Sequence, residues 1–314
     1  MARDPAIDAV LVQWGDRLFY PGNRIVRDST PRLKQRPESL AKRSDAIRAR
    51  IDATFVRRAP QVMVKVTGGG SGMKAIAAHF RYISKGGRLV IEDQDGTELK
   101  GSGAVAEIAE EWRVSGSRIE DVGPRREAFN IMLSMPRGKA EPHLVLRAAR
   151  DFAKKELAGH KYVMVLHDHQ ANPHVHLSVR AEGIDGRRLN PRKADLHRWR
   201  ETFAEQLRQW GVEAEATRQG TRGVSRRYDA LWQQKARAEG RLTRETRGPK
   251  SGDSAQRTLR ESHEAWSTVA AALRRSADPG DQRLARGVQA HLESLARQGA
   301  QRQTPPRGMS REGR

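Results

Sequence analysis

The chain contains no cysteine among its 314 residues. Disulfides, thiolate metal sites and cysteine nucleophiles are excluded, so any metal must be held by His, Asp or Glu. Aromatic residues make up 5% of the chain and mean hydropathy is −0.77, too little apolar material for every segment to build core. No apolar run approaches the ~18 to 20 residues of a membrane span, and the first residues lack the basic-then-apolar pattern of a secretory signal. A soluble, intracellular protein without membrane insertion is expected. Negative charge is scarce as well: 38 Asp and Glu stand against 59 Lys and Arg, a net charge of +21. Such an excess gains affinity for a polyanion by releasing the counterions condensed on a phosphate backbone, so nucleic acid is the expected partner. Arginine supplies most of it, and its planar fork suits bidentate phosphate contacts. Coding bias can favour arginine over lysine, but it does not produce the net excess.

Residues 1–59 read as a basic N-terminal arm with a short apolar island, Val10 to Trp14 and Leu18 to Tyr20. A strand-like run from Val62 to Val66 ends in Thr67-Gly68-Gly69-Gly70-Ser71-Gly72, read as a flexible turn before a helix from Lys74 to about Ser84. The glycines resemble a phosphate loop, but the lysine and hydroxyl spacing of a nucleotide-binding loop is missing. Asp95-Gly96 signals a hairpin, and a second helix is expected from about Ala104 to Val114. From Ala128 to Met135 the chain alternates: Phe129, Ile131, Leu133 and Met135 on one face, Asn130, Met132 and Ser134 on the other. A helix with Val145, Ala148, Ala149, Phe152 and Ala153 at helical spacing precedes two strands, from Tyr162 to His167 and from His174 to Ala181. Asn190-Pro191 reads as a helix start ahead of the stripe Leu196, Trp199, Phe203, Leu207 and Trp210. The globular domain is expected to span residues 60–220. Residues 221–314 are expected to be a basic helical or disordered region, with helical stretches near 226–239, 255–275 and 282–297 and a disordered end.

Four histidines, His167, His169, His174 and His176, fall within ten residues. On a period-two strand His174, His176, Ser178 and Arg180 share one face, and Val175, Leu177, Val179 and Ala181 the other. A short antiparallel connection brings His167 beside the pair. Three neutral imidazoles with open coordination positions suit one divalent ion acting on a phosphate; solvent-facing or hydrogen-bonded structural histidines are the alternative. Asp168 is a candidate for orienting a ligand imidazole, and His169 has no defined role. On the first helix Ile76, Phe80 and Ile83 form the buried stripe, leaving Tyr82 at its border with His79 one turn before it. A tyrosine hydroxyl can attack a phosphodiester, but spacing alone reads Tyr82 as a half-buried core residue.

Three motifs in order change that reading. Phe80-Arg81-Tyr82-Ile83, then Leu133-Ser134-Met135-Pro136, then His167 with Asn172-Pro173-His174-Val175-His176 resemble the tyrosine, serine and three-histidine motifs of conjugative relaxases, the mobilisation nucleases of the HUH superfamily that include T-DNA border endonucleases. The segment from Arg187 to Lys193 with Asp195-Leu196 is also similar to the stretch that comes after the histidines in that family. The resemblance covers residues 60–220. It implies an α+β fold: a central antiparallel sheet of about five strands, with helices packed on one face and the metal site on the other. It further implies a site- and strand-specific nick at a transfer origin by transesterification, with Tyr82 as nucleophile and Ser134 positioning DNA. His167, His174 and His176 would hold Mg or Mn, and Arg81, Arg180, Arg187, Arg188, Arg192 and Lys193 would bind DNA. The partners implied are single-stranded or extruded origin DNA, an accessory DNA-binding protein and a type IV secretion coupling protein. The location implied is the bacterial cytoplasm, with passage to a recipient cell alongside the DNA. One departure is His169, which stands where the family often has Asp. The rival readings are a replication initiator or transposase of the same superfamily, which usually places tyrosine after the histidines, and a metal-dependent phosphodiester hydrolase with no covalent intermediate.

Overall fold

Alternation of apolar and polar residues along 128–134 and 174–183 makes these two segments the middle of an antiparallel sheet. The computed structural model describes residues 4–19, 37–169, 172–224, 236–241 and 252–303. In chain order the elements are α1 (Pro5–Phe19), α2 (Pro37–Ile51), β1 (Met63–Gly68), α3 (Met73–Ile83), β2 (Ile91–Asp93), β3 (Glu98–Leu99), α4 (Ser102–Val114), β4 (Ala128–Ser134), α5 (Pro142–Glu156), β5 (His160–His167), β6 (His174–Gly183) and α6 (Lys193–Gln209). Two helices, Asp253–Arg274 and Pro279–Gln303, complete the order. The chain divides into two units, residues 59–216 and residues 1–58 with 217–314. No helix among the described residues is long and apolar enough to cross a membrane.

The first unit holds a six-stranded sheet in the order β1-β4-β6-β5-β2-β3, every neighbouring pair antiparallel. Ile131, Leu133, Val175, Leu177 and Met164 point to one face, where Phe152 of α5 and Trp199 and Phe203 of α6 close the core. The opposite face carries the histidines, and here the structure departs from the expectation of helices on one face alone. Ile76, Phe80 and Ile83 of α3 and Ile108 and Trp112 of α4 pack over Val163 and Val165 of β5. The cause lies in β5, whose residues are apolar on both faces along 162–166 and so need cover on both.

Two local readings also change. The glycine run after β1 is a tight turn: a Cβ on Gly69 would lie 2.2 Å from the Ala128 carbonyl oxygen, and one on Gly72 2.4 Å from that of Asp121. Glycine is there because the backbone passes too close for any side chain. Helix α6 begins at Lys193 rather than at Pro191, because the Asp195 carboxylate accepts the Arg192 N–H at 2.9 Å and closes the first turn there.

The second unit joins what the sequence presented as separate N-terminal and C-terminal segments. Leu11 and Phe19 of α1 and Ile47 and Ile51 of α2 share a core with Trp266, Val269, Leu273 and Val288 from the end of the chain. Trp266 meets Phe55 edge-on at 4.5 Å between ring centroids. Arg48 is buried between Asp8 and Asp281, 2.6 Å from each. Arg48 and Asp281 lie more than two hundred residues apart, beyond the reach of local periodicity. The helical stretch expected near 226–239 falls outside the described residues except for 236–239. Tyr20 and the tail beyond 303 lie outside them too.

Candidate metal centre

Strands β5 and β6 pair so that His167 lies directly opposite His174, with His176 two residues further along the same face. One ring nitrogen from each of the three lies within 4.8 Å of the others, and the ring centroids are 4.7 to 5.0 Å apart. His167 and His174 are buried and His176 nearly so. Nδ1 of His167 and Nδ1 of His176 are buried without a hydrogen-bond partner. Convergent nitrogens of this kind, left without protein partners, are what a cation with imidazole ligands requires.

Helix α3 fixes the orientation of His167. Its last turn closes with Ser84 N–H donating to Phe80, Gly86 N–H to Arg81 and Lys85 N–H to Tyr82, which leaves the Ile83 carbonyl over. That carbonyl accepts from His167 Nε2 at 2.7 Å. A carbonyl only accepts, so the ring proton sits on Nε2 and the lone pair on Nδ1. The same logic applies to His174, whose Nδ1 donates to the Asn172 carbonyl at 2.9 Å and leaves Nε2 for a ligand. Backbone carbonyls therefore take the orienting role considered for Asp168. Asp168 is exposed, with His169 Nδ1 3.8 Å from its carboxylate. The turn after α3 holds Lys85 at φ +53°, a left-handed conformation costly for a residue with a Cβ. Lys85→Gly is expected to raise stability by up to about 1 kcal/mol, read as a higher urea midpoint.

Burial keeps the cluster neutral. Desolvation first, then the neighbouring His167, His174 and His79, pushes His176 down to about 3. Desolvation brings His79 down to about 4 and also lowers His167 and His174. Depressed imidazoles take up protons more readily in the unfolded chain. The stability they contribute is therefore full above the unfolded value near 6.5 and is lost as pH falls through about 4. For metal-free protein we expect a loss on the order of a few kcal/mol between pH 7 and pH 4 from His79 and His176 together. Urea unfolding at both pH values measures it, and His79→Phe should make the dependence shallower.

Tyr82 is 71% exposed, not half-buried, because Met73, Ile76, Phe80 and Ile83 turn the opposite side of α3 to the core. Its ring lies near-parallel to that of His79, 6.2 Å between centroids at 29°, and His79 lies 6.4 Å from His176. His79 was legible only as a neighbour of Tyr82 at i−3; the structure adds that it sits between the tyrosine and the cluster with its Nε2 buried and unpartnered. One helix thus displays an open phenol, is linked to the three convergent imidazoles through His79, and supplies the carbonyl that orients one of them. Residues 82–212 match the family model for the MobA/VirD2-like relaxase nuclease domain. The chain carries a relaxase nuclease domain. That family brings DNA as ligand and DNA nicking as general activity. No curated protein and no solved structure matches the chain.

Other residues expected to act in the relaxase domain are placed differently. Ser134 lies opposite His174 across β4 and β6, 4% exposed, and its hydroxyl donates to the Pro173 carbonyl at 3.2 Å. It braces the turn into His174. Arg180 is 3% exposed and its guanidinium donates to the carbonyls of Trp112 and Ser117, so it secures the end of α4 and is not a phosphate clamp. Arg180→Ala is expected to destabilise the domain by about 2 to 4 kcal/mol in urea unfolding, since the buried Trp112 carbonyl and the part-buried Ser117 carbonyl lose their donor. Arg188 is held by Glu127 at 3.1 Å, Glu182 at 3.3 Å and the Arg126 carbonyl. Arg81, Arg187, Arg192 and Lys193 are exposed.

Proposed function

We propose that the relaxase domain nicks one DNA strand at a transfer origin by transesterification and holds the cut 5′ end on Tyr82 during conjugative mobilisation. The observation that carries this reading is the exposed tyrosine on the same helix that orients a member of the three-imidazole cluster. In the reaction the Tyr82 oxygen forms a bond to phosphorus, the bond from phosphorus to the 3′ oxygen breaks, and the phenol proton ends, through solvent, on the released 3′-hydroxyl. A divalent cation, Mg2+ or Mn2+, held by His167, His174 and His176 would supply Lewis-acid stabilisation of the phosphate charge. Arg81, beside Tyr82, with Arg187, Arg192 and Lys193, would gather the flanking phosphates. His79 would limit the directions in which the phenol points. Because the phosphotyrosyl bond conserves the energy of the phosphodiester, rejoining needs no ATP, which agrees with the missing nucleotide-loop spacing after β1. The strand must be single or extruded for an outward phenol to reach its backbone. In the cell, this reading takes an accessory DNA-binding protein and a type IV coupling protein as partners, with the bacterial cytoplasm as the site of nicking.

A randomised single-stranded library incubated with Mg2+ or Mn2+ and run on a denaturing gel tests the reading. Label 3′ to the cut should migrate with protein, and the other product should end in a 3′-hydroxyl that a polymerase extends. Cleavage that leaves both fragments free of protein would overturn it in favour of hydrolysis.

A further inference from the structure

Helix α3 ends in a backbone motif that favours glycine and carries lysine instead. Gly86 N–H donates to the Arg81 carbonyl at 2.7 Å and Lys85 N–H to the Tyr82 carbonyl at 3.2 Å, a paired closure that holds the first residue past the cap, Lys85, in the left-handed region. Gly86 and Gly87 come next, at φ +71° and +87°, yet the position where glycine is most favoured has a Cβ. Among the described residues only Arg58 is another non-glycine with positive φ. The turn has little room to relax. Ser84 is buried and its carbonyl accepts from Gly87 and Leu89, and a Cβ on Gly87 would lie 2.4 Å from the Gly101 carbonyl carbon. Strained residues pinned by their surroundings cluster at functional sites.

The side chain displayed there is a half-buried ammonium with no carboxylate and no hydrogen-bond acceptor on it among the described residues. It stands next to the histidine cluster. Two residues before it, the Ile83 carbonyl accepts from His167, and His167 is held below its ordinary value first by desolvation and further by charge on His174, His169 and Lys85. An unneutralised cation in that place opposes the binding of another cation by the three imidazoles. An anion between them reverses the balance, because it is attracted to both.

We propose that Lys85 binds the DNA phosphate brought to the histidine cluster, taking a non-bridging oxygen on its ammonium. The phosphodiester is taken as the ligand from the relaxase reading, but the contact itself needs no nicking. Lysine offers a compact charge with three donors on a flexible stem, which can follow a phosphate oxygen as the bonds at phosphorus change. Glycine would relieve the turn; lysine supplies the charge.

Three full-length variants separate charge from strain. Lys85→Gln removes the charge and keeps the strained backbone, Lys85→Gly removes both, and Lys85→Arg keeps both. Without nucleotide, Lys85→Gln should reach half of its Mn2+-induced rise in melting temperature at a lower Mn2+ concentration than the unsubstituted chain. A dithymidine monophosphate, with one phosphodiester, is then added to the Mn2+-loaded proteins. A further rise should appear in the unsubstituted chain, in Tyr82→Phe and in Lys85→Arg, and be absent from Lys85→Gln and Lys85→Gly. With saturating single-stranded DNA and Mn2+, adduct formation should slow by about 100-fold or more in Lys85→Gln and Lys85→Gly, with part of the rate recovered in Lys85→Arg. Lys85→Gly should do so while unfolding at a higher urea midpoint, a combination that a merely structural lysine does not give. A dinucleotide shift that survives Lys85→Gln, or that is missing from the unsubstituted chain, would overturn the proposal. So would a Lys85→Gly protein that forms adduct at the unsubstituted rate. A Lys85-dependent shift in a chain that forms no adduct would overturn the nicking reading and leave the phosphate contact standing.

Discussion

Tyr82→Phe should remove covalent capture of DNA by a factor of about 1,000 or more, because the substitution deletes the oxygen that the proposed reaction bonds to phosphorus. The same change should leave the rest of the molecule as it was. Tyr82 is 71% exposed and outside the α3 stripe, so urea stability should shift by less than about 0.5 kcal/mol. DNA binding should also persist, since the proposed reading assigns the phosphate contacts to neighbouring cations. A structural tyrosine would give the reverse pattern, with lost stability and retained cleavage. Gel trapping with labelled single strands, beside unfolding curves for both proteins, separates the two.

His176→Leu is the second change with a large expected effect, and its value lies in two readouts that move apart. In the metal-free protein His176 is a nearly buried ring whose Nδ1 has no partner, so an apolar replacement of similar volume should leave stability unchanged or slightly higher. Metal binding should fail: the rise in melting temperature expected of the unsubstituted chain with Mn2+ should be absent, as should Mn2+-dependent cleavage. A ligand present at about a hundred times its Kd stabilises by about 2.7 kcal/mol, a difference that melting resolves easily. If His176 were instead a packing residue with no ligand role, the Mn2+ shift would survive the substitution.

How much of the fold and site was written in local sequence differs by element. The alternation from Phe129 to Met135 and from His174 to Ala181 predicts which residues face which side of the sheet, and the pairing of Ser134 with His174 and of His167 with His174 agrees with that alternation. The three-histidine set was legible for the same reason: period-two geometry is local. What periodicity could not show was what surrounds those side chains. The buried Arg180 looks in sequence like any basic residue on a polar strand face, and only the end of α4 and the loop after it reveal why it is there. The carbonyl that orients His167 comes from Ile83, and no side-chain pattern marks a backbone oxygen left over by a helix end. Asp168 was the natural candidate because it was close in sequence, yet it is exposed to solvent. The union of the two chain ends depends on Arg48 finding Asp281 across 233 positions, which single-sequence periodicity does not encode.

The central claim is that Tyr82 itself becomes joined to the 5′ end of the cut strand. The most direct measurement is protease digestion of the trapped protein–DNA adduct followed by mass spectrometry of the nucleotide-bearing peptide. The expected result is a phosphotyrosyl nucleotide on Tyr82, within the peptide ending at Lys85. A modification on another residue, or cleaved DNA with a free 5′-phosphate and no modified peptide, would contradict it.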